Sequence, residues 1–351
     1  MNNQSTIDCF FKIVNEGKEV NIKKYFYIKW SNEFTPDYEA VWLMERPKKI
    51  NFIQHVNCSY IKKGFYFYIC GYFENYEEND FNIYKETKYK NVHLLKSHLQ
   101  KNIRKQDTDK AIATALHLMK LDMNEFLRRM IIIHIEDTFL HKSITTLIWL
   151  MIAFSTKKFK MKKYIYEWLL GFVYITCNTK KIDDYNKKLK NMSIREYKNN
   201  YDELSSYDNY NLNDEQISII YSLYFRIAYG GMECDKIMIK KCINIWKTRF
   251  INNSVKLNNM KLRPISIYVT ELPIDKWDYS AVDFHTNSNL VDFILKKFPY
   301  LSNTEEIKKI IWYNSSGINY RKNNLEYKKD TWEDIKEYVG KTQKYLLDTN
   351  Y

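Results

Sequence analysis

Two clusters of side chains in this sequence are of types that could act on a phosphodiester. His134, Glu136, Asp137 and His141 crowd one short stretch, where a helix would set His134 and His141 two turns apart with Asp137 between them. As ligands, His134, Asp137 and His141 could hold a divalent cation for hydrolysis. Farther along, Asp283 and His285 alternate on a stretch expected to be extended, so they would share a face as an acid-base or metal pair. Ser315, Ser316 and Gly317 form a turn whose amides could meet a phosphate, with Arg321 nearby. Each has a plainer alternative. A histidine in an isoleucine-rich helix is commonly a hydrogen-bonded core group, and Asp283 with His285 is equally a structural hydrogen bond beside a capped turn. The plainer alternatives are the expectation, so no cofactor or metal is expected and the chain is read as non-enzymatic. If there is catalysis, Asp283 and His285 are its expected place.

A different chemistry, neutralisation of a nucleic-acid backbone, is offered by Lys157, Lys158, Lys160, Lys162 and Lys163, by Lys187, Lys188 and Lys190, and by Arg321. These lysines interleave with aromatic and apolar residues at expected loops or helix starts, which suits salt-dependent, sequence-independent contact with phosphates. The 351-residue chain has a net charge of +13, with 30 Tyr, 19 Phe and 8 Trp, and cations beside flat rings suit both phosphates and unstacked bases. DNA is therefore the leading partner. The competing explanation is solvated lysine faces in a composition biased by an AT-rich coding genome. Arg128, Arg129, Glu136 and Asp137 stand in a helix apolar nearly all round, where lone charges would be costly, and are expected to form a structural ion-pair network between helices.

The elements expected to position these groups define an α+β, mainly helical protein. A β-rich module over 16–91, with aromatic and β-branched runs, precedes a helical domain over 92–251 that carries a polar insertion near 178–213. A mixed α/β section over 260–351 follows. Asp107 or Thr108 is expected to cap a helix from Asp109, and Gly230-Gly231 to separate two helices. The 6 cysteines lack zinc spacing and read as reduced, intracellular thiols. The strongest apolar run, Ile144 to Phe154, is too short to cross a bilayer, so no membrane partner is expected.

Residues 1–15 read as a tail. In it, Gln4, Ile7, Phe10 and Phe11 stand in the spacing Gln-x-x-aliphatic-x-x-aromatic-aromatic. This resembles the PCNA-interacting peptide (PIP box) through which replication and repair proteins attach to the sliding clamp. One turn of 3₁₀ helix would gather Ile7, Phe10 and Phe11 into an apolar plug, with the Gln4 amide at its rim. The alternative is an edge strand running into Lys12-Ile13-Val14.

A second resemblance begins at Ile103-Arg104, followed by Asp107, Asp109 and Ala111, and continues with Arg128-Arg129 and Glu136-Asp137. The region, about 99–150, is similar to the C-terminal helical region of the replication-associated recombination ATPases and their Werner-helicase-interacting relatives. Those proteins act at stalled forks and oligomerise through this region, which implies a homo-oligomer as a further partner. The chain departs from that family in having no Gly-x-x-x-x-Gly-Lys-Ser/Thr phosphate loop, so ATPase activity is not expected.

The reading that joins these observations is a DNA replication or repair accessory protein, docked on a PCNA-type sliding clamp and binding DNA without ATPase activity. It is expected inside the cell, in the nucleus or at a cytoplasmic viral replication site. The rival readings are a clamp-tethered metal-dependent nuclease or repair hydrolase, and a viral structural or interaction protein with no DNA role.

Overall fold

Six strands are followed by helices in a computed structural model that describes residues 14–15, 18–19, 23–32, 34–58, 65–74, 90–183, 185, 211–267, 276–281, 288–301, 303–318 and 327–350. The fold is α+β and mainly helical. Its described parts fall into two compact units, one drawn from Met1–Asn79, His141–Lys160 and Asp184–Asn259, the other from Asp80–Leu140, Met161–Asp183 and Met260–Tyr351.

In the first unit, Val14–Asn15 (β1) and Lys18–Glu19 (β2) form a short antiparallel ladder. The main sheet has four strands: Tyr25–Trp30 (β3), Tyr38–Leu43 (β4), Phe52–Asn57 (β5) and Tyr66–Phe73 (β6), in the order β4-β3-β6-β5. The central pair β3 and β6 is parallel, and each edge strand runs antiparallel to its neighbour. Period-two alternation sends Phe26, Ile28, Trp30, Phe67, Ile69 and Phe73 to one buried face.

That face is covered by Ile144–Ser155 (α4) and Asp214–Ala228 (α6), the latter followed by Glu233–Ile251 (α7). Trp42 stacks on Phe26 at 4.5 Å and on Phe225 of α6 at 4.3 Å. The Trp149 indole of α4 donates to the carbonyls of Phe26 at 3.0 Å and Cys70 at 3.1 Å. Edge strand β4 leaves no free ladder for another chain to join at Ala40 and Trp42. Their amides donate to Thr146 at 3.0 Å and Ser218 at 2.9 Å, hydroxyls carried by the covering helices. Glu39 accepts from Ser143 at 2.5 Å and Thr146 at 2.7 Å at the start of α4. As expected, α6 ends before Gly230 and Gly231, which take φ of +79° and +130°.

In the second unit, Val92–Lys105 (α1), Thr108–Leu121 (α2), Met123–Asp137 (α3) and Lys163–Asn178 (α5) pack together. They are joined by a 3₁₀ turn at Tyr279–Ala281 and by Ser288–Lys297 (α8), Thr304–Ser315 (α9) and Lys329–Asn350 (α10). Asp107 caps α2 as expected, and Asp122 ends α2 and caps α3 through the Glu125 amide at 3.0 Å. Gly171 of α5 lets the backbone at Arg263 approach closely, since a Cβ there would stand 2.2 Å from the Arg263 carbonyl oxygen.

The compact units divide the chain differently from the expected 16–91, 92–251 and 260–351. Helices α4, α6 and α7, expected in the helical domain, belong with the sheet, while α1, α2, α3 and α5 belong with the C-terminal segments. A sheet with one broad aromatic face must be covered by whichever helices offer a matching apolar surface, and sequence order does not choose them. The polar insertion near 178–213 lies largely outside the described residues.

Candidate functional site

The densest polar cluster lies inside the helical unit, around Arg104 near the end of α1. Its guanidinium is almost wholly buried, and it donates through Nε to Asp137 at 2.7 Å and through Nη2 to Glu136 at 3.0 Å. Nη1 reaches the Ser316 carbonyl at 3.3 Å. Gln100, one turn earlier, donates to both carboxylates at 2.8 Å, and accepts from the Arg129 guanidinium. Two cations, two carboxylates and an amide thus join α1, α3 and the turn after α9. Burial works against the Arg104 charge, but Asp137 and Glu136 outweigh it and hold the guanidinium above its ordinary value. Burial pushes the Glu136 carboxyl up, and the adjacent Asp137 adds to this. About a third of the Glu136 side chain, 34%, stays exposed, so the rise originates at its buried edge.

A second cluster stands on the same helix. His98 is buried, with Nδ1 2.7 Å from Thr114 Oγ1, and that hydroxyl donates onward to the Lys110 carbonyl at 2.6 Å. His98 Nε2 accepts from the Asp278 amide at 3.1 Å, so the imidazole is neutral with its proton on Nδ1. Trp277 packs on the ring at 4.5 Å. Burial takes the His98 pKa down to about 3, against a smaller upward pull from Asp278. Lys105 pairs with Asp278, and Lys101 donates to the Ser280 carbonyl. Burial would raise the Asp278 carboxyl, but Lys105 and the Ser280 donors together bring it to about 2.

The expected ion-pair network is therefore present with different members. The direct ion pairs that Glu136 and Asp137 show are not with an arginine of their own helix, although the Arg129 charge pulls the Glu136 carboxyl down. The partner comes from α1 instead, as Arg104. Arg129 binds Gln100, and Glu125 is held below its usual range by Lys96, with Arg128 adding a lesser pull.

His134, Asp137 and His141, weighed above as possible ligands, do not share one helix face, since α3 ends at Asp137 and His141 stands off the helix. His134 Nδ1 lies 3.1 Å from Thr176 Oγ1 and 3.2 Å from Thr138 Oγ1, and His141 Nδ1 accepts from the Ser143 amide at 3.1 Å. Among the described residues, no group of three or more His, Cys, Asp and Glu side chains could hold a metal ion. In the Ser315-Ser316-Gly317 turn, the Ser316 groups are engaged within the chain. The Ser316 amide donates to Trp312 and its hydroxyl accepts from Ile318, while Gly317 lies against Arg104.

Of the expected phosphate-binding lysines, Lys157, Lys158 and Lys160 are exposed on the turn that ends α4. Lys162 is the N-cap residue of α5, and Lys163 pairs with Glu167 at 3.7 Å. Lys187, Lys188, Lys190, Arg321, Asp283, His285 and the tail residues Gln4, Ile7, Phe10 and Phe11 lie outside the described residues. His98, Gln100, Lys105 and Asp278 were not singled out from sequence. The one signal for them is that Gln100 and Arg104 stand four residues apart, so that a helix sets both on one face.

No protein-family profile, no curated protein and no solved structure matches the chain. Among the described residues, no helix is long and apolar enough to cross a membrane.

Proposed function

We propose that this protein is a DNA replication or repair accessory factor that docks on a PCNA-type sliding clamp through Gln4, Ile7, Phe10 and Phe11 and binds DNA without ATPase activity. The observation that carries this reading is the spacing of those four residues in a polar leader, where paired aromatics need a partner to bury them. The net charge of +13 and the exposed Lys157, Lys158 and Lys160 support the DNA-binding half.

The test is calorimetric titration of the full chain, and of its Phe10→Ala, Phe11→Ala variant, into a PCNA-type clamp. Roughly micromolar or tighter binding that the double substitution abolishes is expected. No binding by the intact chain would overturn clamp docking. Metal-dependent cleavage of forked DNA, lost in Asp283→Ala, would replace the accessory role with that of a nuclease.

A further inference from the structure

The sheet of the first unit has two faces, and among the described residues helices cover one of them. The other carries Tyr25, Tyr27 and Lys29 from β3, Tyr66, Tyr68, Cys70 and Tyr72 from β6, and Ile53 and His55 from β5, brought together by the registers Tyr25↔Tyr68 and His55↔Tyr68. Tyr25 stacks on Tyr68 at 5.3 Å and His55 on Tyr66 at 4.6 Å, and His55 lies 5.1 Å from Tyr68. His55 is exposed, and Tyr25, Tyr66, Tyr68 and Tyr72 are half-buried.

The connection from β4 to β5 must take the chain from one edge of this sheet to the other, and it does so over the same face. Tyr27 donates to the Lys49 carbonyl at 3.0 Å, and the Lys49 ammonium sits 5.7 Å from the Tyr72 ring centre. Tyr27 and Cys70 are buried, while Arg46, Lys48 and Lys49 of the connection are exposed. A row of rings is thus bordered by a strip of cations.

We infer that this face binds single-stranded DNA, with unpaired bases extending the ring row that His55, Tyr66 and Tyr68 form and phosphates following Arg46, Lys48 and Lys49. An aromatic row on a sheet accepts any base, because every base has a flat face, and adjacent cations match the charge of the backbone. A duplex, whose bases are already stacked, gains nothing from the rings. The inference deepens the DNA-binding half of the proposed function and rests on it, but it needs no clamp.

The test is fluorescence anisotropy of the full chain with labelled oligothymidylate, oligouridylate and a duplex, across a salt series. Oligothymidylate should bind more tightly than the duplex and at least as tightly as oligouridylate, and tighter binding of oligouridylate would overturn the assignment to DNA. Tyr66→Leu with Tyr68→Leu should weaken single-strand binding by roughly 10-fold or more per ring lost. Lys48→Gln with Lys49→Gln, which leaves the sheet untouched, should reduce the salt slope by roughly 0.7 per lysine. Phe10→Ala with Phe11→Ala should leave strand binding unchanged, so a failure of clamp docking is read separately. Equal affinity for duplex and single strand, or binding untouched by both sets of sheet-face substitutions in folded protein, would overturn the inference.

Discussion

Buried charge in the helical unit is organised around single side chains whose protonation is tied to folding. His98 is the clearest case, because its neutral form fills both ring positions with protein partners and its pKa falls to about 3. An unfolded histidine titrates near 6.5. Between those values the unfolded chain binds more protons, so stability rises with pH. The His98 contribution is complete above about pH 6.5 and is lost as pH falls toward 3. Asp278, Asp107, Lys105 and Lys110 set the local field, and Asp278, ionised down to about 2, stays charged through this window. Urea unfolding at pH 7.5 and pH 5 should show wild type losing on the order of 2 kcal/mol more than His98→Gln. Equal losses would show that His98 does not govern this window. The role of His98 was not legible in the sequence, since its partners Thr114 and Asp278 lie 16 and 180 residues away. The Asp107 cap was legible, because capping depends only on the next three residues.

At the scale of elements, local patterns and long-range contacts disagree in an instructive place. Gly171 interrupts the middle of α5, and helix propensity alone says that alanine there should stabilise by about 1 kcal/mol. The added Cβ would meet the Arg263 carbonyl oxygen at 2.2 Å, where Ile265 donates back to the Glu167 carbonyl at 2.9 Å. Gly171→Ala should therefore destabilise, by roughly 1–3 kcal/mol, as backbone is forced apart. A rise in thermal midpoint would refute the close approach. Helix α3 teaches a related lesson. Its apolar periodicity from Phe126 to Ile135 was readable, and so was the burial of charge within it. Its end at Asp137 was not, and that boundary is what removes His141 from the face holding His134.

For the whole chain, the interleaving of segments decides what can fold alone. The sheet buries Phe26, Trp42 and Phe67 under Trp149 and Phe225, which come from helices far along the sequence. A fragment ending at residue 91 would expose that face to water, and we expect it to show no cooperative thermal transition by circular dichroism, in contrast to the full chain. A cooperative transition in the fragment would show that the strands need no helical cover. What the sequence by itself determined is local: strand alternation, helix periodicity, the Asp107 cap, the Gly230-Gly231 break, a basic charge and the spacing of Gln4, Ile7, Phe10 and Phe11. Each depends on neighbours within a few turns of chain. Only the tertiary structure decided that Arg104 pairs with Asp137, which helices cover the sheet, and that tyrosines from β3 and β6 line up beside His55. Those outcomes depend on which surfaces bury the most apolar area and which buried charges find partners, and both are settled between segments distant in sequence.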